Sequence, residues 1–329
     1  MTIDRPLRIA LLGTGQYGRG VHLGALRDDP GFQIVSVYSR THANAQAVAD
    51  ELPGEVRATD DLASIWSDAS IEAVDVVLPI PQLASTVRAA LASGKHVVSE
   101  KPIAATCEDG GALIATWRQD PSRVWMVAEN WRYEAAFVHA AKLVKEEAIG
   151  RPVVATWAAR VPIRPGHRYH GTDWRRTGVV PGGFLQDGGV HYVAALRSIL
   201  GEVSEARAVA SSSYDDLPPL DTLAASLRCA SGALVNLTLT FAVGGPWPSE
   251  LRIAGTEGSL TVERGRNVLR RGDDVQETPF PDYTGVRDEL AAFAAAVRDG
   301  ASHRNSPEEA LADLRVIERL LADARRASA

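Results

Sequence analysis

Short apolar runs separated by stretches of helical spacing dominate the first third of the chain. Arg8 to Leu12, Gln33 to Tyr38, Val74 to Leu78, His96 to Ser99 and Val124 to Ala128 are rich in β-branched and aliphatic residues and read as strands. The stretches between them carry helix punctuation. Leu83 to Ser93 stops at Gly94, and Glu108 to Arg118 follows a plausible capping residue, Thr106. This alternation from Leu7 to about Glu129 predicts βαβ units and a parallel sheet.

The rhythm changes after a predicted helix from about Ala135 to Glu147 and a break at Gly150 and Pro152. Val153 to Arg160, Ala206 to Ser212, Thr222 to Cys229, Ala233 to Ala242, Glu250 to Ala254 and Ser259 to Glu263 then succeed one another through turns such as Ser231-Gly232 and Glu257-Gly258. They predict a largely antiparallel open sheet. Gly285 to Arg298 and Pro307 to Arg325 are rich in Ala and Leu at helical spacing and close the chain.

Composition narrows the classes of function. A chain of 329 residues suits two domains, each able to bury a core. With 45% hydrophobic and 23% charged residues, and no apolar run of bilayer length, no membrane segment is expected. The net charge of -6 supplies no basic field for nucleic acid, so a small-molecule partner is favoured. Cys107 and Cys229 are far apart and lack a Cys-x-x-Cys partner, which predicts inert thiols rather than a disulfide framework or zinc site. No metal is expected. Met1 to Arg8 leads into a strand without an apolar signal core, and the expected location is cytoplasmic.

The most specific local feature is Gly13-Thr14-Gly15-Gln16-Tyr17-Gly18, a complete G-x-G-x-x-G between a predicted strand and a predicted helix. Gly13 allows the tight turn, Gly15 lets a pyrophosphate approach the backbone, and Gly18 permits close helix packing. The expectation is a dinucleotide held by this turn. Where a carboxylate would hold the ribose 2′-hydroxyl of NAD, the second strand ends Tyr38-Ser39-Arg40-Thr41. Ser39 can hydrogen-bond a 2′-phosphate and Arg40 can pair with it, so NADP(H) is the expected cofactor, with NAD(H) as the alternative. Arg40 as a merely solvated loop residue is the competing reading.

Two further runs carry chemistry. In Gly94-Lys95-His96-Val97-Val98-Ser99-Glu100-Lys101-Pro102, Glu100 and Lys101 fall just past the C-terminal end of a predicted parallel strand, the edge at which such sheets bind ligands. A lysine there can exchange a proton with a substrate oxygen while hydride moves at the adjacent carbon. Taken alone, Glu-Lys-Pro also fits a solvated turn. In Gly182 to His191, continued by Tyr192 to Leu200, Asp187 and His191 fall one helical turn apart, fit to orient a substrate hydroxyl. An equal alternative makes Asp187 a helix cap and His191 a packed residue.

Arg160, Arg164, His167, Arg168, Tyr169, His170, Arg175 and Arg176 form a locally basic segment that could meet an anionic ligand group, or serve as a solvated loop or subunit contact. Trp247 and Tyr283 could wall a pocket or serve domain packing.

Taken together, the glycine turn, Gly94 to Pro102, Gly182 to His191 and Ile253-Ala254-Gly255-Thr256-Glu257-Gly258-Ser259-Leu260 resemble, in order, the glucose-fructose oxidoreductase, inositol dehydrogenase and rhizopine-catabolism family, Gfo/Idh/MocA. The resemblance runs over nearly the whole chain. It implies an α/β fold: an N-terminal Rossmann parallel-sheet domain over residues 1–129, and a C-terminal α+β domain with a largely antiparallel open sheet over 130–329. The second domain would bind substrate and form homo-oligomers through its sheet, and the last helices have the option of packing back on the first.

The implied activity is NAD(P)-dependent oxidation or reduction of a hydroxyl or carbonyl on a sugar, cyclic polyol or related molecule. Lys101 would be the catalytic lysine, and His191 its partner with Asp187. Leu78 and Pro79 would flank the nicotinamide, while Glu100, Asn130, Trp174 and Arg175 would lie near the cofactor. Tyr133, Arg164, Arg168 and Tyr283 are further expected substrate contacts. Ala128 to Tyr133 and Thr172 to Arg176 look most like a branch that includes fungal and actinobacterial oxidoreductases. Ala194 stands where many sugar dehydrogenases of the family carry Asp, and Ile80 to Ala84 lacks their Asn and His. A dinucleotide-sensing regulator and a redox-neutral glycosidase or epimerase are the alternatives that the resemblance leaves open.

Overall fold

The computed structural model describes residues 5–245, 249–281 and 283–327. The chain divides into two compact units, one of residues 1–130 and 286–311, the other of 131–285 and 312–329. The last of these boundaries, between Leu311 and Ala312, falls within the last helix, and the stretch from Val286 to Leu311 belongs with the N-terminal unit.

In the first unit, β1 (Leu7–Leu12), β2 (Phe32–Tyr38), β3 (Arg57–Thr59), β4 (Ala73–Val76), β5 (His96–Glu100) and β6 (Trp125–Ala128) form one parallel sheet in the order β3-β2-β1-β4-β5-β6. Helices α1 (Leu23–Asp28), α2 (His42–Ala49), α3 (Leu62–Trp66), α4 (Ile80–Ala92) and α5 (Cys107–Trp117) lie between the strands in sequence. The strand order reverses between β1 and β4, which makes their C-terminal ends the place for a ligand.

Local chemistry explains where the elements start and stop. Thr106 caps α5, its hydroxyl accepting the Asp109 N–H at 3.1 Å. Helix α4 begins at Ile80, earlier than the expected Leu83, because Pro79 and Pro81 occupy positions whose N–H would have no intrahelical partner. Strand β4 ends at Val76, leaving Val77 and Leu78 to turn across the sheet edge. The core of this unit joins Ile9, Leu11, Val37 and Val98 to Leu290 and Phe293 of α9 (Gly285–Asp299). Each such fully buried side chain contributes about 1.5–3 kcal/mol.

The second unit holds α6 (Ala135–Lys145), β7 (Pro152–Arg160), α7 (Asp173–Arg176), α8 (Gly183–Leu200), β8 (Val203–Ser211), β9 (Thr222–Cys229), β10 (Leu234–Thr240), β11 (Leu251–Gly255), β12 (Ser259–Glu263), β13 (Arg266–Arg271) and β14 (Asp274–Pro279). Its eight strands run β14-β13-β12-β11-β7-β10-β9-β8, antiparallel except for the β7–β10 pair. Alternation along β9 is regular, with Leu223, Ala225, Leu227 and Cys229 buried and the residues between them mostly exposed. The buried face packs on Phe137 of α6, Val193 and Leu196 of α8, and Ile317 and Leu320 of α10 (Pro307–Ala327).

A buried ionic knot ties α10 to this unit. Asp313 receives Arg132 at 2.7 Å and Arg197 at 2.5 Å, with all three side chains almost fully buried. Burial, with Glu202 close by, pushes the Cys229 thiol up to about 11, the state of an inert thiol. Among the described residues, no helix is long and apolar enough to cross a membrane.

Candidate functional site

Strand β1 delivers the glycine turn to the switch point of the first sheet. The Gly13 N–H donates to the Tyr38 carbonyl at 3.0 Å, and the Val77 N–H to the Leu12 carbonyl at 2.8 Å, so the turn is tied to both neighbouring strands. Gly13 has φ +119°, and a Cβ there would lie 2.2 Å from the Val77 carbonyl oxygen. A Cβ on Gly18 would lie 2.2 Å from the Gly13 carbonyl oxygen, whereas one on Gly15 would meet nothing within 4 Å. Gly13 and Gly18 are therefore demanded by the fold, and Gly15 leaves open backbone. That is the space a pyrophosphate needs.

Around this opening, Thr14, Tyr17 and Ser39 are half-buried, while Gln16, Arg40 and Thr41 are exposed. The Ser39 N–H bonds the Thr59 carbonyl at 3.1 Å, which fixes the end of β2. Arg40 pairs with none of the described residues. Leu78 and Pro79, half-buried, follow β4 directly. Open backbone at Gly15 beside the end of β2 fits a dinucleotide.

Glu100 ends β5 and Lys101 follows it, so both stand at the C-terminal edge of the same sheet. One Glu100 oxygen accepts the Lys101 backbone N–H at 3.2 Å. The other faces Nε2 of His22 at 3.1 Å, and His22 Nδ1 faces Asp75 at 2.8 Å. His22 and Asp75 are fully buried. Burial would push the imidazolium pKa down, but Asp75 and Glu100 reverse this and hold it well above the ordinary histidine range. Glu289, also fully buried, is pushed well above the carboxylate range by burial, reinforced by Glu100, Glu129 and Asp75 against the opposing pull of His22. Asn130, expected near the cofactor, is buried in a short turn after β6.

The remaining expected residues lie in the second unit. Helix α8 starts at Gly183 with Gly182 as its cap, so Asp187 is interior to the helix and the capping alternative for it is wrong. The Asp187 carboxylate accepts Nε of Arg175 at 2.8 Å, with both side chains mostly buried. The Arg175 guanidinium also lies 4.0 Å from the Trp174 ring and 4.9 Å from the Tyr169 ring. Arg168 stacks on Tyr169 at 4.6 Å. Arg164 lies over Tyr214 at 4.3 Å, and its Nε donates to the Val243 carbonyl at 3.2 Å. Aromatic rings, a carboxylate and a backbone carbonyl thus engage three of the arginines in the basic segment.

His191, one turn after Asp187, stacks almost parallel on Trp131, with centroids 5.2 Å apart and planes at 16°. Trp131 in turn packs on Phe137, Trp157 and Tyr192. Burial pushes the Tyr192 phenol up to about 12, so it stays neutral at physiological pH. Tyr133 is half-buried just after Trp131. Tyr283, 75% exposed, lies on the Arg264 guanidinium at 4.2 Å, and Arg264 is paired with the buried Glu134. Trp247 lies outside the described residues.

Sequence reading missed His22, Asp75, Glu289, Trp131 and Arg264. Asp75 did leave a signal, as the one charge within the apolar run Val74-Asp75-Val76-Val77. Among the described residues, no group of His, Cys, Asp or Glu side chains is placed to hold a metal ion.

Comparison with known proteins bears on the whole arrangement. A model of the oxidoreductase family with an NAD-binding Rossmann fold matches residues 7–128, and a GFO/IDH/MocA C-terminal domain model matches residues 137–261. The dehydrogenase FPY6 of Fusarium mangiferae is 31% identical, over 96% of this chain and 96% of its own. D-xylose 1-dehydrogenase (NADP(+)) 2 of Haloferax volcanii is 29% identical over 95% of both chains. The crystal structure of an oxidoreductase from Thermotoga maritima superposes with a TM-score of 0.91 at 32% identity, covering 97% of each chain. Both units therefore carry the marks of one family, and the chain belongs to Gfo/Idh/MocA, as an oxidoreductase whose Rossmann fold takes a nicotinamide dinucleotide.

Proposed function

We propose that the protein is an NADP(H)-preferring oxidoreductase that interconverts a hydroxyl and a carbonyl on a sugar, a cyclic polyol or a related small molecule. The observation that carries this reading is the coincidence, at one sheet edge, of open backbone at Gly15 and the Glu100-Lys101 pair. The name of the xylose-oxidising relative supports the substrate class and the cofactor. Exposed Arg40 at the end of β2 supports NADP(H), since a guanidinium there suits a 2′-phosphate.

When bound, the nicotinamide accepts or supplies the hydride. Gly13, Thr14, Gly15, Gln16 and Tyr17 would hold the pyrophosphate, and Ser39, Arg40 and Thr41 the adenosine ribose. Lys101 Nζ takes the hydroxyl proton in oxidation and returns it to the carbonyl oxygen in reduction, so that hydride and proton together balance the reaction. Glu100 holds the Lys101 backbone in place. His191, flat against Trp131, orients the substrate oxygen, while Arg175, bonded to the Asp187 carboxylate, holds that side chain in position.

A panel of sugars, keto-sugars, inositols and dihydrodiols, scored by the absorbance of NADPH, tests the reaction. Lys101→Ala should abolish turnover and leave NADPH binding, read by fluorescence, unchanged. Retained kcat would refute the role of Lys101. Cofactor that copurifies and shows no net absorbance change during turnover would refute net redox chemistry.

The same reading includes a homo-oligomer built on the second sheet. Val154 and Leu234, register partners on β7 and β10, are 39% and 49% exposed on its open face. A monomer by light scattering at micromolar concentration would overturn it.

A further inference from the structure

We infer that His22 is a positioning residue for Lys101, clamping Glu100 between the cofactor turn and the lysine. The inference rests on the proposed role of Lys101 and adds to it a specific device in the Rossmann unit.

The geometry starts at the glycine turn. Gly18 opens a wide π-helical turn, Gly18–His22, whose last residue directs its ring onto β4 and the end of β5. Tyr17, from the turn itself, lies against the ring, with centroids 5.3 Å apart. Nδ1 of His22 meets Asp75 of β4 at 2.8 Å, and Nε2 meets Glu100 of β5 at 3.1 Å. Two adjacent parallel strands are thereby joined, through one side chain, to the loop expected to hold the cofactor.

The chemistry of the ring follows from its partners. A neutral imidazole has one N–H and one lone pair, so against two ionised carboxylates one contact would set lone pair against lone pair. Only the imidazolium donates to both. The buried surroundings are otherwise acidic, with Asp75 on β4, Glu100 on β5, Glu129 after β6 and Glu289 on α9. Glu289 accepts the Asn305 amide at 2.9 Å and is held toward its neutral form. His22 is the cation that faces this set from the glycine-turn side.

The consequence for Lys101 has two parts. Both Glu100 oxygens are committed, one to His22 and one to the Lys101 N–H, so Asp75, His22 and Glu100 form a chain of hydrogen bonds ending on the lysine backbone. The His22 charge also offsets the carboxylate nearest to Lys101. Without that charge the lysine would sit beside an uncompensated anion, which favours its ammonium form.

The test uses His22→Gln and Glu100→Gln in the full-length enzyme. His22→Gln should lower kcat by about 10- to 100-fold through misplacement of Lys101. It should also move the limb of the kcat–pH profile set by Lys101 upward by about one unit, whereas Glu100→Gln should move that limb downward. Opposite displacements are the signature, since a purely structural role predicts no displacement of the limb in either variant. A folded His22→Gln enzyme with kcat and profile unchanged overturns the inference. If His22→Gln fails to fold, a downward displacement in Glu100→Gln supports the charge balance and an unmoved limb refutes it. Lys101→Ala, run in parallel, separates the two levels. If it retains turnover, the proposed role of Lys101 fails. If it is dead while both glutamine variants keep the wild-type profile, only the clamp fails.

Discussion

Under the proposed preference for NADP(H), Arg40 is the residue that would meet the 2′-phosphate, and its surroundings make the effect of removing it calculable. The side chain follows β2, is exposed and pairs with none of the described residues, so Arg40→Ala should leave folding stability within about 0.5 kcal/mol of wild type. On a 2′-phosphate the same guanidinium forms charge-assisted hydrogen bonds worth about 1.5–3 kcal/mol. At about 1.4 kcal/mol per tenfold, the KM for NADPH should rise roughly 10- to 150-fold. NADH has no 2′-phosphate, and its KM should stay within about twofold of wild type. Initial rates with each cofactor, measured at two ionic strengths, provide the assay, since an exposed ion pair weakens with salt. Equal changes for both cofactors, or no change for either, would refute the reasoning and return Arg40 to a solvated loop.

Three other outcomes follow from the geometry. Gly13→Ala places a methyl group against the Val77 carbonyl at φ +119° and should lower stability by at least about 1–3 kcal/mol, whereas Gly15→Ala should fold normally and weaken cofactor binding; thermal unfolding and NADPH titration distinguish them. Asp313→Ala leaves the buried Arg132 and Arg197 without their shared carboxylate and should cost about 3–5 kcal/mol, lowering Tm by roughly 6–20 °C; a shift of a degree or less would show that the knot is dispensable. Glu289 has a raised folded pKa, so from about pH 4.3 upward the folded state retains a proton that the unfolded chain has lost, and stability falls with rising pH. Glu289→Gln cannot ionise, and its Tm should fall less between pH 5 and pH 8 than that of wild type; parallel Tm–pH curves would contradict this.

What was legible in the sequence follows the range of the interactions involved. The βαβ rhythm, the capped start of α5 and the glycine turn are local patterns, and each stands where its residues put it. β13 and β14 were missed because Arg266–Arg271 and Asp274–Pro279 are mostly polar and lack sustained apolar alternation, although they pair through a turn at Gly272, φ +55°. β3 was missed because it is a short edge strand. Asp187 read equally well as a cap or as a helix residue, since the local run contains glycines at every plausible start. The choice was made by Gly183, whose φ of +52° against the Pro218 carbonyl fixes the first turn.

Long-range polar contacts are where sequence reading stops, and the site is built from them. His22 and Asp75 are 53 residues apart in the chain, and only the β1–β4 adjacency brings them together. Trp131 sits inside a run singled out in the sequence, yet its stacking on His191 depends on the packing of α8 in the second unit. The signal that survives is energetic. An Asp buried in an apolar strand costs several kcal/mol unless something donates to it, so Asp75 alone announces an unseen partner without naming it. The fold supplies the name, and it does so through the helix opened by the cofactor glycines. A residue fixed by the same turn that admits the cofactor is well placed to hold the strand end carrying Lys101, and on the proposed role of that lysine one side chain couples the glycine turn to proton transfer.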